Sequence, residues 1–164
     1  LGLIDFSFLT GGYFKMQFDI EGNVYSVTFR NEGNLEIAKG YINEPHFTLV
    51  VSEKDWRDAV TGKFNELADD FTGNPLSLID AKHYEAFMSM NGTVNMNLRK
   101  KDGGVLPLKL IFNDEEKPVV TVHIDMLDAL QLMNKSASGI GLFMNGKLKF
   151  SGSMVLLMKL QTLM

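Results

Sequence analysis

The hydrophobic pattern changes period inside FTLVVSEKDW, residues 47–56. Up to Val51 the residues are aromatic or β-branched except Leu49, which reads as a strand. Ser52 breaks the run, and Asp55 three residues later makes a capping box in its aspartate form, the signature of a helix start. Trp56, Ala59 and Val60 then recur at helical spacing on one face, and Gly62 marks the stop. A strand that hands over to an acid-capped helix predicts an α/β (α+β) fold, with helices laid on a sheet.

Working upstream, YFKMQFDI (13–20) alternates Phe14, Met16, Phe18 and Ile20 against Lys15, Gln17 and Asp19. The turn EGN follows, then NVYSVTF (23–29), the turn RNEGN (30–34) and a weaker strand, LEIAKGY (35–41). With HFTLVV (46–51) this predicts an antiparallel meander with one wet face. Downstream, residues 64–90 predict helical pieces broken at TGNP (72–75), of which SLIDAKHYEAFMSM (77–90) is the clearest. Residues 91–112 read as a hairpin turning at KKDGG. Pro107 in its return arm predicts an edge position or a bulge. VVTVHI (119–124) is a further strand, and Asp125 with Asp128 predicts the cap of a helix over 126–134. KSASGIG loosens the chain, KLKFS (147–151) is a last strand, and Ser153 caps a closing helix.

FTLVVSEKDW leads to AFMSMNGTVNMNL, and VTVHIDMLDA leads to LFMNGKLKF. Each pair runs strand, acid-capped helix, aromatic–Met pair, Asn-Gly, alternating strand. Segments 46–98 and 119–164 are thus either copies of one unit or two uses of common β-α-β grammar. A single domain spanning 1–164 is expected, since 164 residues suffice for one sizeable core.

Hydrophobic residues make up 45% and charged residues 22%, with a formal net charge of −4. This argues against nucleic acid as a partner and gives no global pull toward anionic lipid. Without cysteine, disulfides and thiolate chemistry are excluded. No apolar run reaches about 18 residues, so integral membrane insertion is not expected. The apolar start LGLIDFSFLTGG has no basic n-region and carries Asp5, which points away from a signal peptide and toward a cytoplasmic location.

No catalytic constellation emerges. His46, His83 and His123 have no partner at helical spacing, Ser151-Gly152-Ser153 fails the nucleophile-elbow pattern, and Asp69-Asp70 would diverge on a helix. No metal or cofactor is expected. Methionine is conspicuous: ten residues, about twice ordinary usage. Met88, Met90, Met96, Met126, Met133, Met144 and Met154 belong to the two aromatic–Met segments and their flanks. Such side chains either fill core gaps or line a malleable apolar cavity. In GSMVLLMKLQTLM (152–164), Leu156, Leu157, Leu160, Leu163 and Met164 form one apolar stripe. Met154, Val155 and Met158 fall outside it. These three are expected to face either a ligand or another chain, since no cationic face recommends the segment for a membrane surface.

LFMNGKLKFSGSMVLLMKLQTLM (142–164) resembles the closing signature of the sterol carrier protein type 2 family. There an aromatic residue precedes a Gly-Lys-Leu-Lys strand, a Gly–small–Met turn and a Leu/Met helix ending near Lys-Leu-Gln. FDIEGNVYSVTFRNEGNLEI (18–37) resembles that family's opening hairpin, and HFTLVVSEKDWRDAVTGKFN (46–65) its strand, capped helix and Gly-Lys corner. Residues 66–144, which separate the corner from the final strand, depart from the pattern.

The resemblance implies a mostly antiparallel twisted sheet of about five to eight strands, covered by helices on one face and enclosing an apolar cavity. It also implies non-enzymatic binding or transfer of apolar small molecules such as sterols, fatty acids or acyl-CoA esters. The ligand tail is expected between sheet and closing helix, against Trp56, Phe87, Phe143, Met144, Met154, Leu157 and Met158. The alternative is an interaction or homodimerisation module, or an accessory domain of a lipid-related enzyme. QTLM is not the S-K-L type of peroxisomal address.

Overall fold

The computed structural model describes residues 7–63 and 81–163. Eight strands lie among the described residues: β1 (Tyr13–Ile20), β2 (Asn23–Arg30), β3 (Leu35–Lys39), β4 (Phe47–Val51), β5 (Gly92–Arg99), β6 (Val105–Phe112), β7 (Val119–Asp125) and β8 (Leu148–Gly152). Five helices lie among the described residues: α1 (Glu53–Val60), α2 (Ala81–Ser89), α3 (Met126–Met133), α4 (Gly139–Met144) and α5 (Met154–Gln161). The expected break at 72–75 and the start of the helix at 77–80 lie outside the described residues.

The strands form one open mixed sheet in the order β3-β2-β1-β4-β6-β5-β7-β8. β1 runs parallel to β4, and β5 parallel to β7; every other neighbour is antiparallel. The first four strands are therefore not a meander. After β3 the chain recrosses the sheet and lays β4 on the free edge of β1. Two polar side chains of β1 guide that return: Lys15 Nζ donates to the Asn43 carbonyl (2.8 Å), and Gln17 Oε1 accepts the Ile42 N–H (3.1 Å). The trio β2-β1-β4 recurs as β6-β5-β7, and each trio leads into a helix with acidic residues in its first turn. β7 pairs with β8, whereas β6 lies between β4 and β5.

Alternation sorts the two faces of the sheet. The register aligns Phe14 with Phe29, Met16 with Val27 and Phe47, Phe47 with Phe112, Leu49 with Leu110, Met96 with Leu108 and Val122, and Val122 with Phe150. The opposite face carries Lys15, Asp19, Lys109, Asn95, Asn97, Thr121, His123 and Lys149. All five helices pack on the apolar face. Tyr84 of α2 joins Leu9, Phe14 and Phe29 in one cluster. Met126, Leu132, Leu142, Leu156, Leu157 and Leu160 close a larger one over β5–β8.

Two glycines let the chain pass close to the β7 start. A Cβ on Gly92 would lie 2.2 Å from the Pro118 carbonyl oxygen, and one on Gly152 2.3 Å from that of Val119. Both have positive φ, which only glycine adopts without strain. Pro107 is tolerated because β4 meets β6 only along Phe47–Val50, so on that side β6 is locally an edge at Pro107.

Candidate functional site

The helix starts account for how the apolar face is framed. Ser52 Oγ accepts the Asp55 N–H (3.0 Å), which caps the helix, and donates to Asp55 Oδ2 (2.7 Å). The expected apolar face of α1 is only partly buried. Trp56 is half-buried against Phe18 (ring centroids 5.9 Å), but Ala59 and Val60 are exposed. The buried residues of α1 are Asp55 and Asp58. The reason is ion pairing: Asp55 takes Lys100 (3.2 Å), and Asp58 takes Lys54 (3.0 Å) and Lys63 (2.7 Å). Lys63 and Lys54 hold the Asp58 carboxyl below the usual carboxylate range.

α3 repeats this device with different partners. Asp125 occupies the N-cap but makes no side-chain cap bond, contrary to expectation. Arg99, one strand away, takes both of its carboxylate oxygens and holds it below its ordinary range. Asp128 is buried and takes Lys147 (2.9 Å). Ser153 caps α5 as expected, accepting the Leu156 N–H (3.2 Å).

Between α1, α2 and the cluster beneath α3–α5, the described residues cover the apolar face only in part. Phe18, Leu49, Leu108, Leu110 and Met96 are partly buried, the last three packed against the larger cluster, whereas Val94, Val120 and Val122 in the same rows are buried; Met16, Val27, Phe47 and Phe150 on this face are partly buried as well. Trp56 stands at one border of this strip. Phe87 stands at the other, with ring centroids 5.3 Å from Phe14, 5.5 Å from Phe47 and 5.8 Å from Phe112. The strand residues of the strip carry no individual sequence signal beyond alternation, so sequence reasoning did not single them out.

The seven residues expected to meet ligand are distributed as follows. Trp56 and Phe87 border the strip. Leu157 is 6% exposed and lies in the core with Leu156 and Leu160. Phe143 rests on Phe150 (5.5 Å) but is half-exposed. Met144, Met154 and Met158 are exposed on α4 and α5, as is Val155. The structure therefore does not gather the seven into one cluster.

Two depressions open elsewhere. One of about 510 Å³ is lined by Thr10, Gly11, Tyr84, Glu85, Met88 and Ser89. The other, about 630 Å³, lies across the polar face near Asp19, Val50, Asn95, Asn97 and Lys109. Neither touches any of the seven residues. Among the described residues no three of His, Asp and Glu converge on a common point, and no helix is long and apolar enough to cross a membrane.

Comparison with known proteins agrees with this framework. No curated protein matches the chain. Among solved structures, Sterol Carrier Protein 2 Like 2 from Aedes aegypti is 22% identical over 45% of this chain and 74% of that one, with a TM-score of 0.38. The stereoselective inverting sec-alkylsulfatase Pisa1 from Pseudomonas sp. is 11% identical over 99% of this chain, with a TM-score of 0.26. This chain spans 14% of that protein's length. The model of the SCP-2 sterol transfer family matches residues 76–164, more than half of the sequence, and the chain belongs to that family.

Proposed function

We propose that the chain is a non-enzymatic carrier of apolar small molecules, of the size and character of fatty acids, sterols or acyl-CoA esters. The observation that carries this reading is the strip of Phe18, Leu49, Leu108, Leu110 and Met96, apolar side chains that the described residues leave only partly buried in the middle of the helix-covered face. A ligand tail laid there would bury apolar surface at about 25 cal/mol per Å². Trp56 and Phe87 would border it, with Leu157 in the wall behind. Phe143, Met144, Met154 and Met158 would supply adaptable contacts on the side of α4 and α5. Flexible thioethers favour breadth of ligand over selectivity. Family membership supports the same reading.

Titration with a fluorescent fatty acid, read also through the single tryptophan, Trp56, tests it. Saturable binding is expected, competed by sterols and acyl-CoA. Leu49→Asn, which sets an amide into the strip, should weaken binding at least about tenfold. Absence of saturable binding by the wild type refutes the carrier reading.

A further inference from the structure

Among the described residues the sheet ends at β3, which has a strand neighbour on one side only. All of Leu35–Lys39 is exposed. Leu35 and Ile37 are 53% and 70% exposed although they lie in the apolar rows of Phe29 and Val27, and Tyr25, paired with Lys39, is exposed too. The main chain of β3 is aimed as well. Arg30 N–H donates to the Asn34 carbonyl and Gly40 N–H to that of Val24. In this register Glu36 and Ala38 bond to β2, and Leu35, Ile37 and Lys39 turn their N–H and C=O groups outward. Such a row is a template for another strand, and β3 has neither a proline nor a bulge to blunt it.

We propose that β3 is the contact between two copies of this chain, paired antiparallel across a two-fold axis at Ile37. Centred there, Ile37 meets its own image and Leu35 meets Lys39 of the other copy. Each of these pairs exchanges main-chain hydrogen bonds in both directions, so every outward group of β3 is satisfied. The side chains suit the same register. Glu36 comes opposite Ala38 and is already bound by Arg30 (2.9 Å), so no like charges stand directly opposite. The Lys39 stem lies along Leu35 with its ammonium in water. An axis normal to the sheet keeps both helix layers on one side, and there Tyr25, Leu35 and Ile37 of the two copies join in one covered patch.

Symmetry decides between the ways two copies can meet. β3 laid on β8 of another copy would leave a free edge at each end and grow open chains, whereas β3 on β3 closes. The exposed apolar side chains of α4 and α5 have no outward main-chain row to match. The contact adds an assembly to the carrier reading and does not rest on it.

Sedimentation equilibrium of the full chain, from micromolar to hundreds of micromolar, tests the pairing. A reversible dimer is expected, because one short strand pair sits at the small end of specific interfaces. Ile37→Lys sets lysine against lysine on the axis and should weaken the dimer at least about tenfold, as should Ile37→Glu. Ile37 is exposed, so the melting temperature and fatty-acid binding should stay as in the wild type. An equimolar mixture of the two variants should recover the dimer, since opposite charges then meet at the axis. A wild type that stays monomeric at every concentration overturns the proposal and leaves the carrier reading standing. A dimer that Ile37→Lys leaves intact overturns it too, as does a mixture of the two variants that stays monomeric.

Discussion

Leu157 and Met158 are neighbours in sequence and opposites in environment, and truncating each in turn tests the placement of α5. Leu157 is 6% exposed and packs with Leu156, Leu160 and the β5–β8 rows, whereas Met158 is 62% exposed. Leu157→Ala removes buried carbon and leaves a void, at a cost of about 2–5 kcal/mol. For a chain of this length each kcal/mol lowers the melting temperature by roughly 2–4 °C. A loss near 3 kcal/mol therefore lowers it by roughly 6–12 °C. Met158→Ala removes a side chain already in water and should cost less than about 0.5 kcal/mol. Urea unfolding with an unchanged denaturant slope separates the two outcomes, since the midpoint then reports stability alone. Comparable losses in both variants would mean that Met158 is packed, and would refute the division of α5 into a core stripe and an outer face. Met158→Ala should still weaken fatty-acid binding if the side chain touches ligand, which separates its functional contribution from folding.

Two more predictions concern polar groups. His46 stacks on Tyr13 and Phe14 (5.7 and 5.4 Å), and its Nδ1 accepts the Lys15 backbone N–H (3.0 Å). Burial, and next the Lys15 charge, push its pKa down, against a smaller upward pull from Glu44. A depressed folded-state pKa makes its contribution complete above the unfolded value of about 6.5, and it is lost as pH falls from there through the folded value. Denaturation midpoints measured from about pH 7.5 to about pH 5 should decline, and His46→Asn, which keeps an acceptor for Lys15, should flatten that decline. A wild-type slope unchanged by His46→Asn would contradict the assignment. Separately, Lys100→Met should destabilise by about 2–3 kcal/mol, because the mostly buried Asp55 carboxylate keeps only Ser52 as partner. A urea midpoint equal to wild type would show that the pair contributes nothing.

Alternation carried most of the strand reading, since most apolar strand residues fall on one face, with Val24, Val50, Val105, Ile111 and Val119 on the other. Helix caps were equally legible at Ser52 and Ser153, where a hydroxyl satisfies a first-turn N–H. Three features were not legible, each for a physical reason. Strand order was hidden because pairing of β4 with β1 and β6 depends on contacts distant in sequence, and local period is silent about neighbours. α1 misled because its buried residues are aspartates: Asp58 is neutralised by Lys54 and Lys63, and Asp55 by Lys100, a partner forty-five residues away that helical spacing does not reveal. α4 was read as a loosened stretch because its Gly139 and Gly141 disfavour a helix, although Ser138 caps it through the Gly141 N–H (3.0 Å). Of the candidate site, the aromatic borders Trp56 and Phe87 were named from the sequence. The strip between them was not, because half-burial of an alternating strand residue is decided by what the rest of the chain leaves uncovered.

The narrow junction between β4 and β6 has a mechanical consequence. The trio β2-β1-β4 and the trio β6-β5-β7 meet only along Phe47–Val50 and Lys109–Phe112. Across that seam the main supports are the Phe47–Phe112 and Phe47–Phe87 ring contacts, the Asn113 N–H donated to the His46 carbonyl and the Lys100–Asp55 bridge. The eight-residue hairpin of β5 and β6, by contrast, is zipped along its whole length. Under load or partial denaturation the sheet should part at this seam into two halves, each retaining its own hairpin, parallel strand and acid-capped helix. Hydrogen exchange would register them as separate cooperative units, with the β5–β7 amides the slower set. The partly buried strip lies across this seam, so loosening it would widen the apolar face proposed to take the ligand.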